Sequence, residues 1–437
     1  SNQPFFAVFN FTGCHESGIA GDSKYRSVTK NLKRLQRQDP VQLKLPPYYP
    51  DTPLVREDWK RNYELITAMD LWVGEHLRAL KASGEAENTI VFFWSDHGVG
   101  LPRAKRWLYD SGTRIPLIVR IPEILRLSSQ GAPGTLDQQL ISTIDFAPTV
   151  MNLAGLSVPD YMQGRAFLGN QLKAHREYVY GARDRMDERY DIIRMVRDKR
   201  FRYIRNYEPL KPYYQYMNTP EKGATMKEIR RLEQSDSLPY AAKLFSAKRK
   251  PTEELYDLLN DPHEIHNLSD NPNYIQQLKK MRGAHYSWVR ETRDIGLLPE
   301  SEIIKREALY GSRYEILRQK ASASIMLRLS ETAALASSGK DALPMLLTAI
   351  NDTDAAVRYW AATGVGNIAP IDSDKALLLM RKLLSDSSAS VRIAAGRALA
   401  RMGKPKESFP VLKKALEGPH QWARLKAAIV LDEMEEQ

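Results

Sequence analysis

The last hundred residues repeat, and a repeat of this kind leaves few options for the fold. Three segments align: DALPMLLTAINDTDAAVRYWAATGVGNI, KALLLMRKLLSDSSASVRIAAGRALARMG and ESFPVLKKALEGPHQWARLKAAIVLDEM. Arg358, Arg392 and Arg424 fall at matching places, 34 and 32 residues apart. Each unit reads as an apolar helix, a short polar turn and an Ala-rich helix. Such a unit cannot bury its apolar face alone, so neighbours must stack into an α-solenoid. Three repeats are near the minimum for stability, and the block is expected to lean on the chain before it.

That preceding chain is a different kind of sequence. With 437 residues in all, two or three domains are expected. Hydrophobic residues make up 43% and charged residues 27%, the balance of a globular protein, and no apolar run approaches a membrane span. The formal charge is +11, which fits either an acidic partner or a solvated basic surface. The single cysteine, Cys14, excludes an internal disulfide and a Cys-based zinc cluster.

The chemistry concentrates in Thr89–Arg120, TIVFFWSDHGVGLPRAKRWLYDSGTRIPLIVR. Two apolar runs, expected as buried strands, flank a polar loop bearing Asp96, His97, Gly98, Arg103, Lys105 and Arg106. A carboxylate and an imidazole side by side at a strand end offer two ligands for a cation. The same pair equally fits a turn cap, Asp96, and a hydrogen-bonded core histidine, His97. Cations on the same loop suit a tetrahedral oxyanion, or they are solvated surface.

The other elements follow from periodicity and punctuation. Pro4–Thr12 (PFFAVFNFT) reads as a buried strand with His15 just past its tip. A core strand that early leads us to expect a chain that begins inside a larger protein or after processing. Residues 18–54 read as an irregular loop. Val55–Leu80 reads as a helix with apolar positions at three- and four-residue spacing. Gln138–Ala154 reads as strand then helix, and residues 176–206 as a small antiparallel sheet. Residues 254–272 read as a turn-rich tail, followed by a helix to about Arg293, and residues 300–337 as helical.

Several of these pieces in this order resemble the sulfatase family of the alkaline-phosphatase-like superfamily. They are PFFAVFNFT with His15 after it, MDLWVGEHLRAL, FFWSDHG, Lys105 four residues before Tyr109, SGTRIPLIVR, IDFAPTVMNLAG with Pro159–Arg165, and ELYDLLNDPHEIHNL. They cover about residues 4–290. The layout around GLPRAKRWLY is similar to the heparan N-sulfatase branch, and the three terminal units resemble HEAT repeats.

The resemblance implies an α/β fold with a mainly parallel sheet and flanking helices, a small antiparallel C-terminal subdomain, then an all-α HEAT-like solenoid. We expect the α/β core at 1–175, the subdomain at 176–299, a helical linker or cap at 300–337 and the repeats at 338–437. It implies that Asp96 and His97 ligate a divalent cation, calcium first, with manganese or zinc as alternatives. Lys105 would contact the sulfate group, and His15 would contact it or protonate the leaving oxygen. Arg103 and Arg106 are expected to bind substrate. Family members also carry paired aspartates and a C-x-P/S-x-R segment whose Cys or Ser becomes formylglycine. Neither is in this sequence; Cys14 sits in GCHES and is expected to be a small buried residue. Formylglycine is therefore expected upstream, with this chain inactive alone.

The implied function is hydrolysis of sulfate esters or N-sulfate on a sulfated glycan, with no nucleic acid partner and a periplasmic or secreted location. A phosphonate or phosphodiester hydrolase would use the same residues. The alternative outside enzymology is a non-catalytic scaffold that binds a protein through its HEAT-like repeats.

Overall fold

The computed structural model describes residues 4–127 and 130–435. Three regions follow one another. The first holds α1 (Glu16–Ala20), α2 (Asp22–Thr29), α3 (Pro53–Ala82), β1 (Val91–Trp94), α4 (Asp110–Thr113), β2 (Leu117–Arg120) and α5 (Phe146–Leu153). Pro53 opens α3 with a preset φ and no N–H to leave unpaired. Gly84, at φ +81°, takes the chain away after the C-cap Ser83. Val55, Trp59 and Leu65 on α3 share a core with Ile19, Tyr48, Tyr49 and Leu101, and Cys14 and Val99 pack against it. This cluster brings the chain around residue 15 beside the loop after β1.

Three expectations fail in this region. Pro4–Thr12 forms no strand, and Phe5, Phe6 and Phe9 are exposed. Apolar side chains make a strand only when a neighbour takes up its backbone hydrogen bonds, and none does so among the described residues. The expected mainly parallel sheet is also not what β1 and β2 form. They pair antiparallel, Val91 opposite Arg120 and Trp94 opposite Leu117. Parallel neighbours need a crossover helix, whereas residues 95–116 return as a loop with one helical turn. Nor does a strand precede α5. Ser142 N–H donates to Asp145 at 2.8 Å, and this cap begins the helical run instead.

The second region is a four-stranded antiparallel sheet, β3 (Val179–Met186), β4 (Arg189–Arg197), β5 (Phe201–Asn206) and β6 (Glu253–Asp257), in that order. Between β5 and β6 lie α6 (Ala224–Gln234) and α7 (Tyr240–Ser246); α8 (Ile275–Thr292) follows. The strand β6 stands where a turn-rich tail was expected. Its carboxylates are buried because they are partnered: Glu254 accepts from Tyr256 at 2.6 Å and Tyr109 at 3.0 Å. Hydropathy alone cannot register such partners. Ile193, Met195 and Ile204 pack on Trp107 and Tyr109, while Val196, Tyr203 and Leu255 join Leu278 and Met281 of α8. The loop after β1 is thus clamped between two cores.

The third region is all helix: α9 (Glu300–Tyr310), α10 (Ser322–Leu335), then the pairs α11 (Leu343–Ala349) with α12 (Ala355–Ile368), α13 (Asp374–Leu383) with α14 (Ala389–Arg401) and α15 (Pro405–Glu417) with α16 (Gln421–Glu435). The α/β part followed by a helical solenoid is the expected class. One continuous core runs from Ile192, Tyr207 and Val289 to Leu399, so the solenoid leans on the sheet region. Among the described residues, no helix is long and apolar enough to cross a membrane.

Candidate functional site

His15 sits at the N-cap of α1. Its Nδ1 accepts from Ser17 N–H at 3.2 Å, so in the neutral ring the proton resides on Nε2. That Nε2 is 3.4 Å from Lys105 Nζ, across 90 residues of sequence. Burial lowers the imidazole pKa first, and the charge of Lys105 lowers it further. The charges of Lys24 and His97 act on it in the same direction.

Glu16 lies behind this pair and was missed in the sequence. Its carboxylate is buried and accepts two bonds from Arg106, at 2.7 and 2.8 Å, and one from Lys105 at 3.1 Å. Burial raises its pKa, but the bonds and charges of Arg106 and Lys105 outweigh burial and hold it below its ordinary value. The available signal was an acidic residue in the first turn after a histidine N-cap.

The loop after β1 is shaped by close backbone contacts. Gly98 N–H donates to Gly112 carbonyl at 3.0 Å, and Lys105 N–H to Val99 carbonyl at 3.0 Å. A Cβ on Gly98 would lie 1.9 Å from Ser111 carbonyl oxygen, and one on Gly100 would lie 2.8 Å from Glu16 Cβ. Arg103 and Arg106 adopt φ of +65° and +79°, a conformation that costs a non-glycine residue on the order of 1–2 kcal/mol. The ion pairs and ring stacking described here hold them there.

Those two arginines do not reach an open surface. Arg103 is buried between the rings of Tyr48 and Tyr109, at 4.3 and 4.0 Å, and donates to Glu264 carbonyl at 2.6 Å. The guanidinium of Arg106 is taken up by Glu16 and by Asp187, on the turn between β3 and β4. The structure thus brings together His15 and Lys105, with Arg106 behind them, and leaves Arg103 in the interior.

His97 donates from Nδ1 to Gly98 carbonyl at 2.7 Å, which leaves Nε2 as a lone-pair donor. That nitrogen is 3.5 Å from Asp96 Oδ2, and the Asp96 side chain is 84% exposed. The two groups fit a divalent cation as part of a ligand set. Among the described residues, no group of three or more His, Cys, Asp or Glu side chains is arranged to hold a metal. Cys14 takes no part: its Sγ–H donates to Leu65 carbonyl at 3.3 Å, and burial raises the thiol pKa to about 11.

Comparison with known proteins adds three family matches: sulfatase over residues 1–156, N-sulphoglucosamine sulphohydrolase C-terminal over 103–238, and HEAT repeats over 343–432. An ulvan-active sulfatase from Formosa agariphila is 41% identical over 70% of this chain and 54% of its own length. The human N-sulphoglucosamine sulphohydrolase is 26% identical over 67% of this chain and 62% of its own length. The chain therefore spans only part of these relatives. A solved structure of a 2-O GAG sulfatase aligns over 67% of each chain at 19% identity, with a TM-score of 0.40.

Proposed function

We propose, on the premise that residues 1–238 belong to the sulfatase family and residues 343–432 are HEAT repeats, that this chain carries half of a sulfatase active site. The reaction is cleavage of a sulfate ester or N-sulfate from a sulfated glycan. Support for the substrate class comes from the relatives, one ulvan-active and one an N-sulphoglucosamine sulphohydrolase, and from the basic charge of +11.

The observation that carries this reading is the meeting of His15 Nε2 and Lys105 Nζ at 3.4 Å, from segments 90 residues apart. Lys105 offers a fixed positive charge to a sulfate oxygen, where charge gathers as the S–O or S–N bond breaks. In its imidazolium form His15 is placed to give the Nε2 proton to the departing oxygen or nitrogen. Glu16, itself held by Arg106, fixes Lys105 in place. Asp96 and His97 would hold a divalent cation, calcium first, whose Lewis acidity would draw charge from the sulfate group when bound. The nucleophile is a formylglycine encoded upstream, and residues 1–437 alone do not turn over. The protein works in the periplasm or outside the cell, and the HEAT repeats bind a protein partner.

The test is sulfate release from sulfated polysaccharides by the full-length protein encoded by the gene. Lys105→Ala and His15→Ala should each lower kcat by roughly 100-fold or more. Wild-type turnover that survives both changes would remove these residues from the chemistry. No turnover on any sulfated glycan, together with capture of a protein by the solenoid, would favour the scaffold instead.

A further inference from the structure

A buried carboxylate is an odd thing to find behind an anion site. Glu16 touches Lys105 at 3.1 Å and Arg106 at 2.7 and 2.8 Å, and lies 3.8 Å from His15 Nε2. Asp187 is a second carboxylate on Arg106. On the more exposed side, Lys24 Nζ donates to Ser17 Oγ at 3.1 Å, beside His15. Two carboxylates against the three cations Lys24, Lys105 and Arg106 leave this cluster with little net positive charge. Removing the charge of Glu16 alone would double it.

We propose that Glu16 sets the charge selectivity of the site, favouring a singly charged sulfate ester over a doubly charged phosphate monoester. This rests on the sulfatase reading above. A sulfate monoester carries one negative charge, whereas a phosphate monoester carries close to two at neutral pH. Both have the same tetrahedral shape, so shape and hydrogen-bond count discriminate weakly between them. Charge does discriminate. A fixed carboxylate a few ångströms from the bound anion repels the dianion about twice as strongly as the monoanion, in a site partly shielded from water. Glu16 is thus a positioning residue with a second effect: it holds Lys105 and Arg106 while cancelling part of their field. Gly100 belongs to this device, because any side chain there would collide with Glu16.

The experiment compares kcat/KM of the full-length protein on the sulfate and phosphate monoesters of one phenol. In Glu16→Gln the ratio should move toward phosphate by about tenfold. Glu16→Asp, which keeps the charge, should stay near wild type. Lys24→Gln removes an outlying cation, and its ratio should move the other way by about twofold. A folded Glu16→Gln with the wild-type ratio overturns the proposal. If that variant does not fold, Lys24→Gln decides: an unchanged ratio, or one moved toward phosphate, overturns it. Wild-type protein that hydrolyses neither ester overturns the sulfatase reading, and this inference with it.

Discussion

Glu16 on α1 and Arg106 on the loop after β1 form a two-pronged ion pair, with oxygen–nitrogen distances of 2.7 and 2.8 Å. Both side chains are nearly excluded from water. A buried charge is tolerable only while its partner remains, so Arg106→Gln should cost about 2–4 kcal/mol of stability. The pH dependence has a definite sign. The folded state holds the Glu16 carboxyl below its ordinary value of 4.5, so the pair stabilises fully above that pH. The contribution fades as pH falls below 4.5. Chemical denaturation from pH 7 to pH 3 should show a shallower acid-side loss in Arg106→Gln than in wild type. Parallel curves would show that the pair is energetically silent.

The proposed cation ligands, Asp96 and His97, separate the candidate metals. Calcium is held by carboxylate oxygen, whereas zinc and manganese also take imidazole nitrogen. If calcium is the ion, Asp96→Asn in the full-length protein should weaken its binding by about tenfold or more, with a smaller effect from His97→Gln. Calorimetric titration with calcium, manganese and zinc checks this. A larger loss from His97→Gln would point to a nitrogen-preferring ion.

Much of this molecule was legible because it depends on periodicity. The face of α3, the three terminal helix pairs and the hairpins of residues 176–206 all announce themselves at fixed spacing. What escaped depends on partners distant in sequence. Pro4–Thr12 has the composition of a strand but no strand beside it. The carboxylates of β6 look like turn residues until Tyr109 and Arg200 are seen to cover them. Arg103 looks like a substrate-facing cation, yet Tyr48, 55 residues earlier, closes over it. Glu16 is invisible as a site residue until a contact 90 residues away explains why a charge is buried there.

The repeated arginines predict a graded response within the solenoid. Arg358, Arg392 and Arg424 each donate through Nη1 to two carbonyls of the turn before their own helix. Arg358 also makes a two-pronged pair with Asp386 of the next repeat, at 2.7 and 2.9 Å. Gly418 stands at the position matching Asp386, so Arg392 has no equivalent carboxylate. Arg358→Gln should therefore cost about 2 kcal/mol and Arg392→Gln about half as much. Equal losses in urea unfolding would mean that the turn carbonyls, rather than the carboxylate, account for these residues.

Trp360 on α12 predicts how the regions unfold. It is fully buried, its ring lies against Tyr207 from the sheet region, and its Nε1–H donates to Leu297 carbonyl at 2.7 Å. The core it occupies is continuous from Ile192 to Leu399, so the first two helix pairs share their interior with the sheet region, while Ile393, Leu412, Ala423, Ala427 and Val430 form a smaller core at the far end. The sheet region and the repeats should then melt in one calorimetric transition. Trp360→Phe leaves the Leu297 carbonyl unpaired and should cost about 1–3 kcal/mol. Trp360→Ala also opens a cavity and should cost about 3–5 kcal/mol. Its further consequence is a loss of coupling: the single transition should split, the repeats melting first because nearest-neighbour stacking is all that then holds them. Two resolved transitions already in the wild-type protein would show that the shared core does not bind the two regions into one cooperative unit.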